Sequence, residues 1–236
     1  HDMNNILAPI LMAVPLLKAR VNDDRSQGML TTLLKSGERG AALVRQLLSF
    51  AHGASGELKL LQARHVLKDI AEMVESSFPK TIRLATELPG DLWPVIGNAS
   101  QLHQVFLNLC INARDAMPDG GTLHLRAANR RLTDDEARAI SDARSGAFLA
   151  VTVSDTGTGI PPEILERVWE PFFTTKTPDK GTGLGLSTVR GIVAQHQGFI
   201  ALQTHAGQGT TFTVYLPADE DSARGEDLPA DPARRV

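Results

Sequence analysis

From Met3 to Val21 the apolar residues fall at Met3, Ile6, Leu7, Ile10, Leu11, Val14, Leu17 and Val21, the three-and-four spacing of one helical face. This predicts a first helix. Pro9 and Pro15 should bend it, because each removes one hydrogen bond and frees the carbonyls of Asn5 and Leu11. The polar run "VNDDRSQG" reads as a turn. A second helix follows, with Leu30, Leu33, Leu34, Ala41, Val44, Leu47 and Leu48 on one side, and ends near "AHGASG". Two amphipathic helices joined by a short turn leave much of their apolar stripe uncovered. Pairing with a second copy into a four-helix bundle would bury that stripe on both chains.

Past "HGASGE" the pattern changes to strands alternating with helices. Strands are expected near Leu58 to Leu61, Thr81 to Glu87, Thr122 to Asn129, Ala147 to Ser154, Phe199 to Thr204 and Thr210 to Leu216. Helices are expected over His65 to Ser77, Ser100 to Ala116 and Gly183 to His196. The acidic stretch "TDDEARAISDARSG" separates the two longest strands. This mixed order predicts a sheet covered by helices on one face, so the fold class is α+β. The chain divides into a hairpin over 1–55, an α/β domain over 56–217 and a charged tail or linker over 218–236.

Composition narrows the function. With 236 residues and 42% apolar content there is ample material for buried cores. A net charge of -3 with acids and bases interspersed gives no polycationic stripe, so nucleic acid is not an expected partner. Cys110 is the single cysteine and cannot pair within the chain; in an apolar helical pattern it suits a reducing, cytoplasmic compartment. The uncharged run ending at Leu17 falls short of the roughly 20 residues a membrane span needs and holds two prolines, so no membrane contact is expected. The sequence lacks a start methionine or basic leader and reads as a piece whose beginning lies upstream.

Two glycine clusters carry candidate chemistry. In "VTVSDTGTGIPPEIL", Asp155 ends an apolar strand, and Gly157 and Gly159 permit backbone geometry that other residues adopt at a cost. A carboxylate there can accept a hydrogen bond from an exocyclic amine; a plain Asp-Gly turn is the alternative. The "DTG" of aspartic proteases needs two such carboxylates facing each other, and the flanking sequence does not resemble that fold's paired strands. The second cluster, "GTGLGLS", starts at Gly181, 26 residues beyond Asp155, and leads into a helix whose exposed N–H groups make a phosphate seat. Between them "EPFFTTKTPDKG" carries prolines, Phe172 and Phe173 as apolar anchors, and Lys176 and Lys180. It reads as a lid over a nucleotide, or else as an ordinary loop.

In "QVFLNLCINARDAMPDGG", Asn108 and Asn112 project from one helical face amid apolar neighbours. Single buried amides are commonly satisfied by backbone. Two in register near a phosphate seat suit an oxygen-demanding Mg²⁺ ion and the phosphates it bridges.

Taken together, these boxes resemble the catalytic core of bacterial sensor histidine kinases, of the GHKL or Bergerat ATP-binding superfamily. The likeness runs from His1 to about Pro217. "HDMNN" is similar to the phosphoacceptor box, "NLCINARDAM" to the N box, "DTGTGIP" and "GTGLGLS" to the two glycine boxes, and "EPFFTTK" to the F box. A cloning-tag remnant at His1 would not be expected to run straight into an apolar helical stripe and precede four matching boxes.

The resemblance implies a dimerising helical hairpin, with two copies forming a four-helix bundle, followed by a Bergerat-type α/β sandwich that binds ATP and Mg²⁺. By position, His1 would be the nucleophile, Asp2 the group that takes its proton and Asn5 a residue that orients water for the reverse, phosphatase reaction. Asp155 with Gly157 and Gly159 would hold the adenine. Asn108 and Asn112 would line the phosphate side, Asn112 ligating Mg²⁺. Gly181, Thr182, Gly183, Leu184 and Gly185 would cradle the phosphates. Asn108 stands where related ATPases such as Hsp90 and gyrase carry a water-activating glutamate. An amide cannot take that proton, which favours transfer to a protein nucleophile over hydrolysis. The implied partners are a second copy and a response regulator receiver domain, whose aspartate takes the phosphoryl group.

Two departures from the pattern stand out. The family's proline five residues after the histidine is missing, with prolines at 9 and 15 instead. The position three after Asn112, often basic, is Asp115, leaving Arg114 or Lys176 to supply phosphate-binding charge.

Overall fold

The computed structural model describes residues 2–21, 23–34, 36–37, 57–177 and 181–220. The chain divides into two units, His1–Ser55 and Gly56–Val236.

In the first unit, α1 (Asp2–Lys18) contains both prolines. A turn follows, and Asp23 caps α2 (24–34): its Oδ1 accepts the Ser26 N–H at 2.8 Å, and that bond holds the exposed carboxyl below its ordinary range. Gln27 donates to the Lys18 carbonyl at 2.7 Å, satisfying an acceptor that the end of α1 leaves over. A Cβ at the buried Gly37 would stand 3.0 Å from Leu11, so the hairpin is tight there. Val14 is buried, whereas Met12, Leu16, Leu17, Met29 and Leu33 stay exposed. Of these exposed residues only Leu17 and Leu33 belong to the expected stripe, whose member Val14 is covered. Ala41, Val44, Leu47, Leu48 and His1 lie outside the described residues.

The second unit runs β1 (Lys59–Leu61), α3 (Ala63–Ser77), β2 (Ile82–Glu87), β3 (Val95–Gly97), α4 (Ala99–Asp115), β4 (Gly121–Leu132), α5 (Asp134–Arg138), β5 (Gly146–Asp155), two single 3-10 turns at Pro162–Ile164 and Arg167–Trp169, α6 (Gly185–Gln195), β6 (Phe199–His205) and β7 (Gly209–Pro217). The main sheet has the order β2-β4-β5-β7-β6, and β1 pairs separately with β3. Only β2 and β4 run parallel; the other neighbours are antiparallel.

The period-two pattern fixes the two faces of the sheet. Leu123 and Leu125 of β4, Leu149, Val151 and Val153 of β5, and Phe212, Val214 and Leu216 of β7 share one core with α3, α4 and α6. That core includes Leu67, Ile70, Leu102, Phe106 and Leu109, fully buried, each contributing roughly 1.5–3 kcal/mol relative to exposure. The opposite face is polar where Thr152 meets Thr213 and Ser154 meets Thr211 across the strands. At its end a small cluster of Leu132, Phe148 and Phe199 packs against Ile140, Ala143 and Tyr215.

Three elements differ from the sequence expectation. The strand β3 was not expected. Inside the acidic stretch sits α5, started by a capping box in which Thr133 and Glu136 bond each other's backbone N–H groups. And α6 begins at Gly185 rather than Gly183, because Gly183 has φ +68°, which no α-helix contains. Among the described residues no helix is long and apolar enough to cross a membrane.

Candidate nucleotide site

Because Leu149, Val151 and Val153 face the helices, the alternation of β5 also turns Asp155, its last residue, toward them. Asp155 is 7% exposed. Its Oδ1 accepts the N–H groups of Gly157 at 2.8 Å and Thr210 at 3.3 Å. Burial pushes the carboxyl above its ordinary range against the pull of those two bonds. Among the described residues no donor reaches Oδ2, which is the oxygen left for an amine.

The loop after Asp155 is fixed from both sides. Thr158 donates to the Ala116 carbonyl at 3.0 Å, tying the loop to the end of α4. Gly159 has φ +69°, and a Cβ there would lie 2.1 Å from the His205 carbonyl oxygen, so only glycine fits.

Helix α4 brings the two asparagines to the same place. Asn98 caps it by accepting the Gln101 N–H at 3.1 Å. Three turns on, Asn108 Nδ2 donates to the Gly185 carbonyl at 3.5 Å, a long bond. A Cβ on Gly185 would meet only Asn112 Nδ2, at 3.8 Å, so the start of α6 opens toward that amide. The partial positive charge of the α6 N-terminus thus faces Asn108 and Asn112. Gly183 packs so closely on Phe172, whose N–H donates to its carbonyl at 2.9 Å, that a Cβ would lie 2.3 Å from the Phe172 carbonyl carbon. Thr182 Oγ1 accepts the Leu184 N–H at 3.3 Å. The Leu184 side chain is buried, and its carbonyl accepts the hydroxyls of Ser187 and Thr188.

Lid and charge are arranged differently from the sequence expectation. Trp169, packed edge-on against Phe212 at 6.0 Å, anchors the start of the expected lid segment; Phe172 is 64% exposed with φ +69°, and Phe173 lies under the Arg167 guanidinium at 4.4 Å. Lys176 Nζ reaches Asp115 Oδ2 at 2.6 Å and Asn112 Oδ1 at 3.4 Å. Arg114 donates twice to Asp115 Oδ1, at 2.7 and 2.9 Å, with its guanidinium 5.3 Å from the Phe78 ring centre. Burial pushes the Asp115 carboxyl upward, but the Lys176 and Arg114 bonds together outweigh it and hold the group below its ordinary range. Both cations offered to phosphate are thus engaged by one acid.

Asn108, Asn112, Asp155, Gly157, Gly159, Lys176 and residues 181–185 therefore converge on one region between α4, the Asp155 loop and the start of α6. Asp2 and Asn5 lie in α1, in the other unit; their side chains, like His1, lie outside the described residues. Thr210, buried against Asp155, went unnoticed in the sequence, since only the pairing of β5 with β7 brings the two together.

A hard cation fits this donor set. The Lys176 ammonium already rests on the Asn112 amide oxygen and the Asp115 carboxylate, oxygen donors of the kind Mg²⁺ prefers. Among the described residues no group of three or more His, Cys, Asp or Glu forms a metal cage. A Mg²⁺ ion here would share its shell with phosphate oxygens.

A helix-covered mixed sheet with paired amides on one helix, a carboxylate at a strand end and a glycine-rich helix start defines a GHKL-type ATP-binding core. The profile of the histidine kinase-, DNA gyrase B-, and HSP90-like ATPases matches residues 97–220, and the chain belongs to that family, with a catalytic core of the histidine kinase type. It is 40% identical over 230 residues to the sensor kinase CckA of Brucella abortus (strain 2308), covering 97% of this chain and 24% of that one. It is 34% identical to the sensory histidine kinase/phosphatase NtrB of Azospirillum brasilense, covering 98% of this chain and 57% of NtrB. The crystal structure of full-length ShkA in complex with AMPPNP is similar, with a TM-score of 0.72, 26% identity, and coverage of 92% of this chain and 44% of ShkA. The chain thus spans about a quarter to somewhat over half of the two curated relatives.

Proposed function

We propose that this chain is an ATP-dependent protein histidine kinase that phosphorylates its own His1 and passes the phosphoryl group to an aspartate of a response regulator. The observation that carries this reading is the convergence of the Asn108/Asn112 pair, the Asp155 carboxylate and the α6 N-terminus on one region. In this reading Asp155 Oδ2 accepts the adenine amine. The backbone around 181–185 and the Lys176 ammonium would meet the phosphates, and Asn112 would ligate Mg²⁺. When bound, Mg²⁺ neutralises charge on the phosphate oxygens.

The imidazole of His1 attacks the γ-phosphorus through its lone-pair nitrogen. A phosphorus–nitrogen bond forms, the bond to the bridging oxygen breaks, and ADP leaves. The proton on the other ring nitrogen goes to Asp2. Asn108 is poor at accepting a proton from water, so hydrolysis does not compete. Asn5 orients water for removal of phosphate from the regulator, and the name kinase/phosphatase carried by NtrB supports that second activity. The exposed Met12, Leu16, Leu17, Met29 and Leu33 support a homodimer through the hairpin.

The test is incubation with γ-labelled ATP and Mg²⁺ while free phosphate is measured alongside. A kinase retains label on the protein and releases little phosphate. Steady phosphate release without labelled protein would make it an ATPase instead.

A further inference from the structure

We propose that Asp115 is a positioning residue that parks the lid lysine on the metal-binding amide, so that loading the site exchanges one cation for another. The proposal rests on the reading of Asn112 as the Mg²⁺ ligand. Asp115 divides its two oxygens between two cations: Oδ1 takes Arg114 at 2.7 Å and Oδ2 takes Lys176 at 2.6 Å. The pair is shielded, the Lys176 and Asp115 side chains being 31% and 21% exposed.

The lid is shaped to deliver the lysine. Its N–H donates to Thr174 Oγ1 at 3.1 Å, which fixes the turn. A Cβ on Gly181 would lie 3.1 and 3.2 Å from the Lys176 stem and 2.6 Å from Thr174 Oγ1, so the stem lies flat on the lid backbone. From there Nζ reaches Asn112 Oδ1 at 3.4 Å.

An ammonium at that distance and a Mg²⁺ ion roughly 2.1 Å from the same oxygen would repel each other at close range in a half-buried site. The two do not share it. Lys176 would therefore leave Asn112 when that oxygen is taken by a metal, and its ammonium would be free to meet the nucleotide phosphates. Asp115 opposes that step until the phosphates outbid its single charge. A basic residue at 115 could not hold the lysine, which gives the departure from the family pattern a role.

The experiment is hydrogen exchange at amides 172–177 in the intact chain, without nucleotide and with Mg²⁺ and AMPPNP. Without nucleotide, Asp115→Asn and Lys176→Met should each speed exchange, on the order of 2- to 5-fold as for loss of a modest ion pair. The double variant should go no further than either, and Asp115→Glu should restore protection. With Mg²⁺ and AMPPNP this coupling between 115 and 176 should vanish. Coupling absent without nucleotide, or unchanged by it, overturns the proposal. AMPPNP affinity of the wild type and of Asn112→Ala, with and without Mg²⁺, tests the underlying reading separately. Binding that ignores Mg²⁺ would overturn the role of Asn112, and the exchange with it, whatever the coupling.

Discussion

The backbone N–H of Thr210 donates to the carboxylate of Asp155, its register partner across β5 and β7, at 3.3 Å. The bond aims one oxygen at the sheet and leaves the other for a ligand. Asp155→Asn should keep the fold, because an amide oxygen can accept the same bonds, but it would turn a donor toward the adenine amine. Nucleotide affinity should fall about 10- to 100-fold, the scale of one hydrogen bond to a charged group. Titration calorimetry checks this.

The same substitution should stabilise the chain at neutral pH. Burial raises the Asp155 pKa above its ordinary 3.8 despite the bonds from Gly157 and Thr210. The carboxyl thus favours folding most when protonated, below the unfolded value, and that contribution is lost as pH rises through the raised one. Asp155→Asn removes the cost of the buried charge, so its gain in denaturation midpoint should be present at pH 7, shrink as pH falls through the raised value and be absent below the ordinary 3.8. A variant less stable than wild type at pH 7 would contradict the assignment.

Asn112→Ala removes the amide oxygen that now meets Lys176. The Mg²⁺-dependent part of ATP binding should drop about 10- to 100-fold, the range found when metal-supporting groups are lost. Asn108→Glu should instead raise the ratio of released phosphate to labelled protein, since a carboxylate there can accept a proton from water. Phosphate release and label retention, measured together, decide it.

Local signals made much of this site readable in the sequence. The spacing of Asn108 and Asn112, the glycines around Asp155 and the run 181–185 are each fixed within a few residues of chain, and the sheet strands followed from alternation. What escaped depends on pairing at a distance. Thr210 meets Asp155 only because β7 adds beside β5, and Lys176 meets Asp115 only because the segment after Phe173 comes back onto α4. Strand β3 is three residues between Pro94 and Asn98, too short for any period to show. The capping box of α5, by contrast, is a local signal that the stretch TDDE carries in the sequence.

Cys110 is buried at the centre of α4, and desolvation pushes its thiol up to about 12. At pH 8 about one part in 10,000 would be thiolate, and that fraction is shielded. A disulfide reagent should leave the native chain unlabelled for as long as it stays folded and label it promptly in denaturant. Prompt native labelling would show that α4 is not packed as described.

His196 staples the far ends of α4 and α6. Its Nε2 accepts the Asn98 N–H at 3.0 Å, Nδ1 lies 2.8 Å from the Ile192 carbonyl, and Gln101 bonds Gln195 beside it at 3.1 Å. His196→Ala would leave a cavity and an orphaned N–H. Urea denaturation should show a loss of about 2–4 kcal/mol. A loss under about 0.5 kcal/mol, ordinary for a surface site, would contradict it.

The most direct test of the whole account is where the γ-phosphoryl group of ATP comes to rest. Wild-type chain, His1→Gln and Asn112→Ala would be incubated with γ-labelled ATP and Mg²⁺, and the labelled residue mapped. The account predicts an acid-labile, alkali-stable label on His1 of the wild type, none on His1→Gln and far less on Asn112→Ala. Label that survives His1→Gln, or that resists acid, would contradict it.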